Sequence, residues 1–407
     1  MHQKYRNTKA KCTQANHRLL FIKLWSLLPL IFAWPSACLN VAQDRTELEE
    51  QVGHAQLDHI LVDIKDGLAS VREFSVQTHS TKKDLFLELW AQAPSLEINL
   101  DIKAQEHTEA KTDDVVSIEL KLYNVMSNSQ VFLTQTSSQT LSQTEINVEY
   151  IAPTIMSTQL TLKTGTYHIH VVPPQPPGDQ SWKFAVFADV QERLNGVADL
   201  FIPLGQEELK FALISGDLTE QGRIEELKQF QKQQLTYLPF PCYATLGNHE
   251  LGTDGVPFYH YFGRGSFSFE YGEARFTLID GASASIAPRT QARLNTWLDQ
   301  GAEQLHVLAT HIPLLDPDGT RGGAHASRLE AAKLLNDLQA HHLDLLLYGH
   351  VHTYRYFYQA GIPTIISGGG GSIPMRLDGI GRHYVVFEIN QARDGFSHQV
   401  QRIYPEE

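Results

Sequence analysis

Five short stretches in the second half of this 407-residue sequence end apolar runs with residues that can bind metal ions. They are "ADVQE" with Asp189 and Gln191, "SGDLTEQG" with Asp217 and Glu220, "LGNHE" with Asn248, His249 and Glu250, "ATHIP" with His311, and "YGHVH" with His350 and His352. Together they offer two Asp, one Asn, one Gln and four His as candidate donors. Carboxylate and imidazole in that mixture suit Mn, Fe or Zn rather than calcium. The number of donors exceeds what one ion needs, so the set implies two divalent or trivalent ions sharing a carboxylate. Such a pair generates hydroxide near neutral pH and clamps both oxygens of an in-line displacement, which is hydrolytic phosphoryl chemistry.

The elements that must position these residues can be read from their flanks. "KFAVFAD", "PCYATLG", "RFTLID", "LHVLATH" and "DLLLYGH" read as buried strands, and "EELKQFQKQQLTYL" and "SRLEAAKLLNDLQAHH" as helices between them. Strands alternating with helices predict a layered α/β domain, and ligands in such sheets sit at the carboxyl ends of the strands. Five polar strand ends in one domain therefore predict one site. His350 and His352 point the same way while the chain stays extended, because strand side chains alternate. His168 and His170 have the same spacing but lie in mid-strand, with no carboxylate strand ends around them, and read as structural.

The ordered set D-x-[HQ], G-D-x-x-[DE], G-N-H-[DE], a lone H and G-H-x-H resembles the calcineurin-like metallophosphoesterase family over roughly residues 183–390. The resemblance implies a four-layer sandwich of two mixed sheets flanked by helices. It implies that Asp189, Gln191, Asp217 and His352 hold one metal. Asp217 would bridge to a second, held also by Asn248, His311 and His350. It makes Asn248 a contact to substrate phosphate and His249 the acid that protonates the leaving oxygen, with the Glu220 carboxylate orienting it. Gln191 departs from the family, which usually has histidine there; a neutral amide oxygen is a weaker donor, which puts that metal's occupancy in doubt. Purple acid phosphatases carry a tyrosine just after G-D, absent from "GDLTEQG", and protein phosphatases carry G-D-x-x-D-R-G, whereas Arg223 here follows Gly222.

Other polar residues give weaker signals. Arg321 and His325 in "DPDGTRGGAHASRLE" are candidate phosphate contacts on a glycine-rich loop, the alternative being a mobile surface loop. "SGGGGSIP", Ser367 to Pro374, has the composition of a phosphate cradle but lacks the lysine and helix start of a nucleotide loop. It reads as a flexible turn beside the site. Glu250 reads as a support behind the ligands or as a helix cap, and His341-His342 as a helix end.

Residues 41–175 use a different grammar. Short alternating runs such as "FLELWAQA", "VSIELKLYNV", "INVEYIA" and "QLTLKTGTYHIHVV" predict an all-β, antiparallel sandwich. "VVPPQPPGDQ" reads as a stiff linker, giving a boundary at 176–182 and a second domain from 183 to 407. The role of the sandwich (ligand binding, a cap over the site, or a spacer) stays open.

Hydrophobic residues at 42% and charged ones at 19% describe an ordinary globular chain. The first 40 residues carry six basic residues and no acidic one, so their removal would take the formal charge from −13 to −19. So acidic a chain argues against a nucleic-acid-binding surface. A basic stretch followed by "LWSLLPLIFAWPSAC" reads as an export segment over residues 1–38. Ser36-Ala37 before Cys38 resembles a lipobox, which predicts a periplasmic or cell-surface protein anchored through a lipid on Cys38; simple cleavage and an uncleaved anchor are the alternatives. Only Cys12, Cys38 and Cys242 exist, so a chain cleaved and lipidated at Cys38 has no intramolecular disulfide.

The sequence thus predicts an exported hydrolase acting on a phosphorylated small-molecule substrate. The competing reading is a surface binding lipoprotein whose phosphoesterase half is weakened at Gln191. Oligomeric state and substrate are not encoded legibly.

Overall fold

The computed structural model describes residues 42–403 apart from 80–81, 105–114, 137–140, 179, 318, 320–322, 376–378 and 391–394. The expected export segment with Cys38, and Arg321, lie outside the described residues. Residues 39–407 group into one compact unit. Among the described residues, no helix is long and apolar enough to cross a membrane.

The strand-rich half is built from two sheets. One has six strands in the order His54–Leu57, Ile60–Ile64, Leu96–Ile102, Gly165–Val172, Gln130–Thr136, Leu141–Ile146. The other has five, in the order Ala69–His79, Lys82–Ala91, Val115–Tyr123, Ile155–Lys163, Glu149–Ala152. Alternate residues such as Leu96, Ile98, Leu100 and Ile102 turn inward, and their partners from the other sheet include Leu87, Leu89 and Leu120. The pairing is not wholly antiparallel as expected, because Lys82–Ala91 runs parallel to Val115–Tyr123. The run "QLTLKTGTYHIHVV" also breaks at Thr164-Gly165. Its first half joins the five-stranded sheet and its second half the six-stranded one.

The α/β half stacks two further sheets. Cys242–Ala244, Ala212–Ile214 and Trp182–Phe187 run parallel, and His383–Asn390 and Gly395–Arg402 extend that sheet antiparallel. In the second sheet Ala274–Ile279, Leu305–Thr310, Leu345–Tyr348 and Ile362–Ser367 run parallel between the edge strands Phe267–Tyr271 and Tyr354–Gln359. Alternation explains why these strands read as unbroken apolar runs. Phe184 and Val186 face the second sheet, whereas Ala185 and Phe187 face the helices Ala198–Gly205 and Ile224–Tyr237. Leu345 and Leu347 likewise face the first sheet, and Leu346 and Tyr348 face the helices Pro288–Gly301 and Arg328–Ala340. The result is a helix–sheet–sheet–helix sandwich, the mixed α/β architecture the sequence implied.

The segment expected as a linker, 176–182, runs between the strands Gly165–Val172 and Trp182–Phe187, but the two halves also meet through buried side chains. Trp90, fully buried at the end of a sandwich strand, packs in the core of the α/β half, its ring centroid 5.8 Å from that of Phe262. Asn124 donates to the carbonyls of Ala91 and Cys242 and accepts from the Cys242 N–H and the Gln234 amide, so all its polar atoms are satisfied across the junction. A helix that periodicity did not show, Ala42–Gln51, is pinned to the α/β half by a fully buried Arg45 that bonds both oxygens of Asp280.

Candidate metal centre

Five of the parallel strands aim their carboxyl ends at one place. Asp189 follows Phe187, Asp217 follows Ile214, Asn248 follows Ala244, His311 follows Thr310 and His350 follows Tyr348. Asp189, Gln191, Asp217 and His350 all adopt positive φ (62°, 44°, 53° and 66°), a conformation that side chains other than glycine's disfavour. Such strain persists where the surroundings over-determine it, typically at functional sites. Gly247 shows how close the loops lie, because a Cβ there would strike the Asp217 carboxylate.

The buried histidines share one device. His311 points Nδ1 at the Ser215 carbonyl (2.7 Å), and His352 points Nδ1 at the Ile373 carbonyl (3.0 Å). A carbonyl only accepts, so Nδ1 carries the proton and Nε2 is left facing the site. His249 is held in the same way, with Nδ1 2.6 Å from the Glu220 carbonyl. Orienting a ligating imidazole through its other nitrogen is what metal sites require of their surroundings.

What the Nε2 atoms face supplies the test of fit. His311 Nε2 lies 3.2 Å from Asp217 Oδ2 and 3.1 Å from Asn248 Oδ1, two oxygens that converge on it. His352 Nε2 and Asp189 Oδ1 are buried 3.4 Å apart, and neither has a hydrogen-bond partner. Ligating atoms of Asp217, His311 and His350 lie within 4.8 Å of one another. Carboxylates and imidazoles converging with unused donor atoms fit divalent first-row ions. The residues present therefore fit the expected pair: Asp189 and His352 would contribute to holding one ion, and Asp217, Asn248, His311 and His350 the other.

The charges agree with a cation-binding pocket. Burial alone would raise the pKa of Asp217, but His311 and His249 outweigh it and hold this carboxyl well below the usual range. Burial would lower that of His311, yet Asp217 overrides it and pushes the imidazole up to about 9. His249 is raised for the same reason, Asp217 and the Glu220 carbonyl outweighing its desolvation. Each pair of opposite charges is an interaction that a metal ion would take over.

Two expected roles change. The Glu220 carboxylate is not what orients His249: its oxygen is 3.8 Å from Nδ1 on a side chain 43% exposed, whereas the residue's own carbonyl makes the bond. Gln191, expected to present its oxygen to a metal, engages both ends of its amide within the protein. Its Nε2 donates to Asp217 Oδ2 at 2.6 Å, and its Oε1 accepts from the Ser372 hydroxyl at 2.7 Å. Until a metal competes for Asp217, the amide proton is the better partner for a carboxylate.

His325 is buried beside Gly281 with both ring nitrogens unpartnered, so it bonds none of the candidate ligands. Arg321 lies outside the described residues. The glycines of "SGGGGSIP" are packed rather than flexible. Gly368 to Gly371 are buried, Gly370 N–H donates to the Ala188 carbonyl, Ser372 N–H donates to that of Asp189, and a Cβ at Gly370 would strike the Ala188 carbonyl. His168 bonds Asn99, His170 bonds Ser95 and His341 caps its own helix at the Asp337 carbonyl, as their structural readings require.

Sequence reasoning understated Glu250. Fully buried, it accepts from the N–H groups of Asp217, Thr219 and Gly247 and from the Thr219 hydroxyl. Burial and the nearby Asp217 charge raise its pKa to about 7 against the pull of these donors, and the four bonds fix the Asp217 loop to the Asn248 loop. The fourth position of G-N-H-E was the available signal. The carbonyls of Ser215 and Ile373 had none.

Residues 183–354 match the family model described as calcineurin-like phosphoesterase. No curated protein matches the sequence. Similar solved structures include a purple acid phosphatase from yellow lupin (Lupinus luteus), at 14% identity and TM-score 0.48, covering 79% of this chain and 80% of that one. Others are the inner-membrane-complex anchor GAP50 of Plasmodium (15% identity, TM-score 0.43, 56% and 86% covered) and a dimetal phosphatase from Danio rerio (13%, 0.39, 55% and 99%).

Proposed function

Residues 183–354 form a calcineurin-like phosphoesterase domain, and from that premise we propose that the protein is an exported, dinuclear-metal hydrolase of phosphate mono- or diesters. The observation that carries the reading is the unpartnered pair of His352 Nε2 and Asp189 Oδ1, beside the second cluster of Asp217, His311 and His350.

Bound between these residues, a metal pair supplies an activated water and neutralises developing charge on phosphorus. The chain's own residues do the rest. Asp217 would serve as the carboxylate shared by both positions, and its Oδ1 accepts the His249 N–H at 2.9 Å, fixing the backbone of the proposed acid. His249 keeps its Nδ1 proton on the Glu220 carbonyl and turns Nε2 toward the site, where in its protonated form it can give a proton to a leaving oxygen. Asn248 holds its side-chain oxygen toward His311, beside where a phosphoryl group would sit. Access is through an open cavity of about 450 Å³ lined by Glu192, Glu220, His249, His352 and Ile373, the last 77% exposed on its lip.

Gln191 favours a second reading, in which the first metal position is weak and the chain acts as a surface binding lipoprotein. Export and lipidation at Cys38 are part of both readings. Hydrolysis of p-nitrophenyl phosphate and bis-p-nitrophenyl phosphate by the full chain, supplied with Mn, Fe or Zn, separates them. Turnover of either substrate with two bound metals supports the enzyme; two bound metals and no turnover of either refutes it.

A further inference from the structure

A second cavity lies away from the metal centre. It encloses about 820 Å³ where the strand-rich half meets the edge strand Phe267–Tyr271 and the helix Pro288–Gly301. Four cations line it: Lys65, Arg264, Arg275 and Arg293. Three are accounted for, since Lys65 pairs with Glu97, Arg275 with Glu270, and Arg293 with Glu49 and Glu50. Arg264 is the exception. It makes no ion pair with the described residues, and its Nε is buried without a hydrogen-bond partner.

The position of Arg264 is nonetheless built with care. The Gln92 amide, from the opposite half, accepts the Arg264 N–H at 2.6 Å and donates to the Arg264 carbonyl at 2.7 Å. The guanidinium lies against Gly67, whose φ of +62° and missing side chain make the space, because a Cβ there would strike it. A buried charge ordinarily comes with a partner, as Arg45 does in the bidentate pair with Asp280. Burial and the neighbouring Arg293 both work against the Arg264 charge and lower its pKa, although Glu49 and Asp66 partly offset them. A guanidinium on an anchored backbone, packed against Gly67 and beside a second arginine, suits gripping a planar or tetrahedral oxyanion.

We infer that this junction cavity is a second binding site, in which Arg264, supported by Arg293, takes the carboxylate or phosphate group of a small anionic ligand. Seated there, the ligand would touch the sandwich at Lys65 and Ser95 and the α/β half at Ser268 and Thr296, and so lock the two halves together. Nothing in this inference depends on the metal centre.

The test counts anions bound by the metal-loaded full chain. Equilibrium dialysis with radiolabelled phosphate, and separately with radiolabelled citrate, is run in a chloride background on wild type and on Arg264→Gln. The expected result is one fewer bound phosphate, or one fewer bound citrate, in the variant. The anion that shows the loss identifies the ligand chemistry. The difference between the proteins, rather than the total, reports the cavity, so phosphate held at the metal centre does not enter. Hydrolysis of p-nitrophenyl phosphate is expected to be the same in both. Thr296→Glu, at an exposed helix position on the same wall, places a competing carboxylate in the cavity and is expected to cause the same loss should Arg264→Gln fail to fold. Equal counts of both anions in wild type and in the folded variants overturn the inference.

Discussion

Asp189 Oδ1 and His352 Nε2 are buried 3.4 Å apart, and neither has a hydrogen-bond partner. The other oxygen of Asp189 takes the His350 N–H at 2.8 Å, and the other nitrogen of His352 is committed to Ile373. Both side chains are thus locked with one polar atom deliberately unused. Unpaired buried polar atoms cost stability, and the metal position proposed between these two would give both a partner.

His249 is oriented by a main-chain carbonyl, which a side-chain substitution at position 220 leaves in place. His249→Ala is expected to lower turnover by roughly 10²–10⁴-fold with an alkyl phosphate, whose leaving oxygen needs a proton. The loss should shrink with p-nitrophenyl phosphate, because nitrophenolate leaves unprotonated. Glu220→Ala should cost far less than His249→Ala on both. Steady-state kinetics of both variants on both substrates check this; equal losses for His249→Ala would mean that the residue serves binding.

Glu250 gathers three N–H groups and a hydroxyl around one buried carboxylate. Glu250→Gln turns one acceptor into an NH2 group facing donors. The expected cost is about 1–3 kcal/mol of stability, the range for leaving a buried hydrogen-bonding group unsatisfied. Turnover should fall with it, because the same carboxylate fixes the Asp217 loop. Chemical denaturation of the metal-loaded protein measures the first effect. A loss below about 0.5 kcal/mol would show that the network is dispensable.

Gln191 splits its amide between Asp217 and Ser372. Replacing it by histidine offers a stronger donor to first-row metals, so Gln191→His should keep its metals to a higher chelator concentration than wild type. Gln191→Ala should lose one metal earlier. The number of metals retained along a chelator titration reads this directly. Unchanged retention in Gln191→Ala would place Gln191 outside the metal's ligands.

Much of the metal centre was legible because chemistry at strand ends leaves a pattern in sequence. Five polar clusters, each after an apolar run, point to one site. The elements that escaped lacked such a pattern. The helix Ala42–Gln51 has almost no apolar stripe and is held by ion pairs such as Arg45 with Asp280. Trp90 and Asn124 stood in an ordinary strand and turn, and nothing local shows that they reach into the other half. The glycines after Ser367 looked flexible because glycine composition does not distinguish freedom from close approach; here the absence of side chains lets the loop lie against Ala188 and Val190. The backbone carbonyls that orient the histidines belong to residues of no special type.

Away from the site, Glu49 couples stability to pH. Its burial, reinforced by Asp280 and opposed by Arg293, lifts its pKa from an ordinary 4.5 to about 7. A raised carboxyl means that the folded state binds the proton more tightly. Its contribution is therefore fully present below about pH 4.5 and is lost as pH rises through about 7. The shift corresponds to an order of 3 kcal/mol. Wild type should lose more stability than Glu49→Gln between pH 5 and pH 8, as read from melting temperatures of the metal-loaded proteins. Parallel pH profiles for the two proteins would remove Glu49 from the explanation.

Asp217 is the residue on which the dinuclear reading turns, since that reading makes it the carboxylate shared by both metals. Asp217→Asn keeps the size of the side chain and removes the shared negative charge. The decisive measurement is metal content per chain, by elemental analysis after exhaustive dialysis, taken together with turnover of p-nitrophenyl phosphate. Wild type should retain two metals and hydrolyse the ester, while Asp217→Asn should retain fewer than two and lose activity by several orders of magnitude. An Asp217→Asn protein with two metals and wild-type turnover would show that the chemistry does not run through a shared carboxylate at this position.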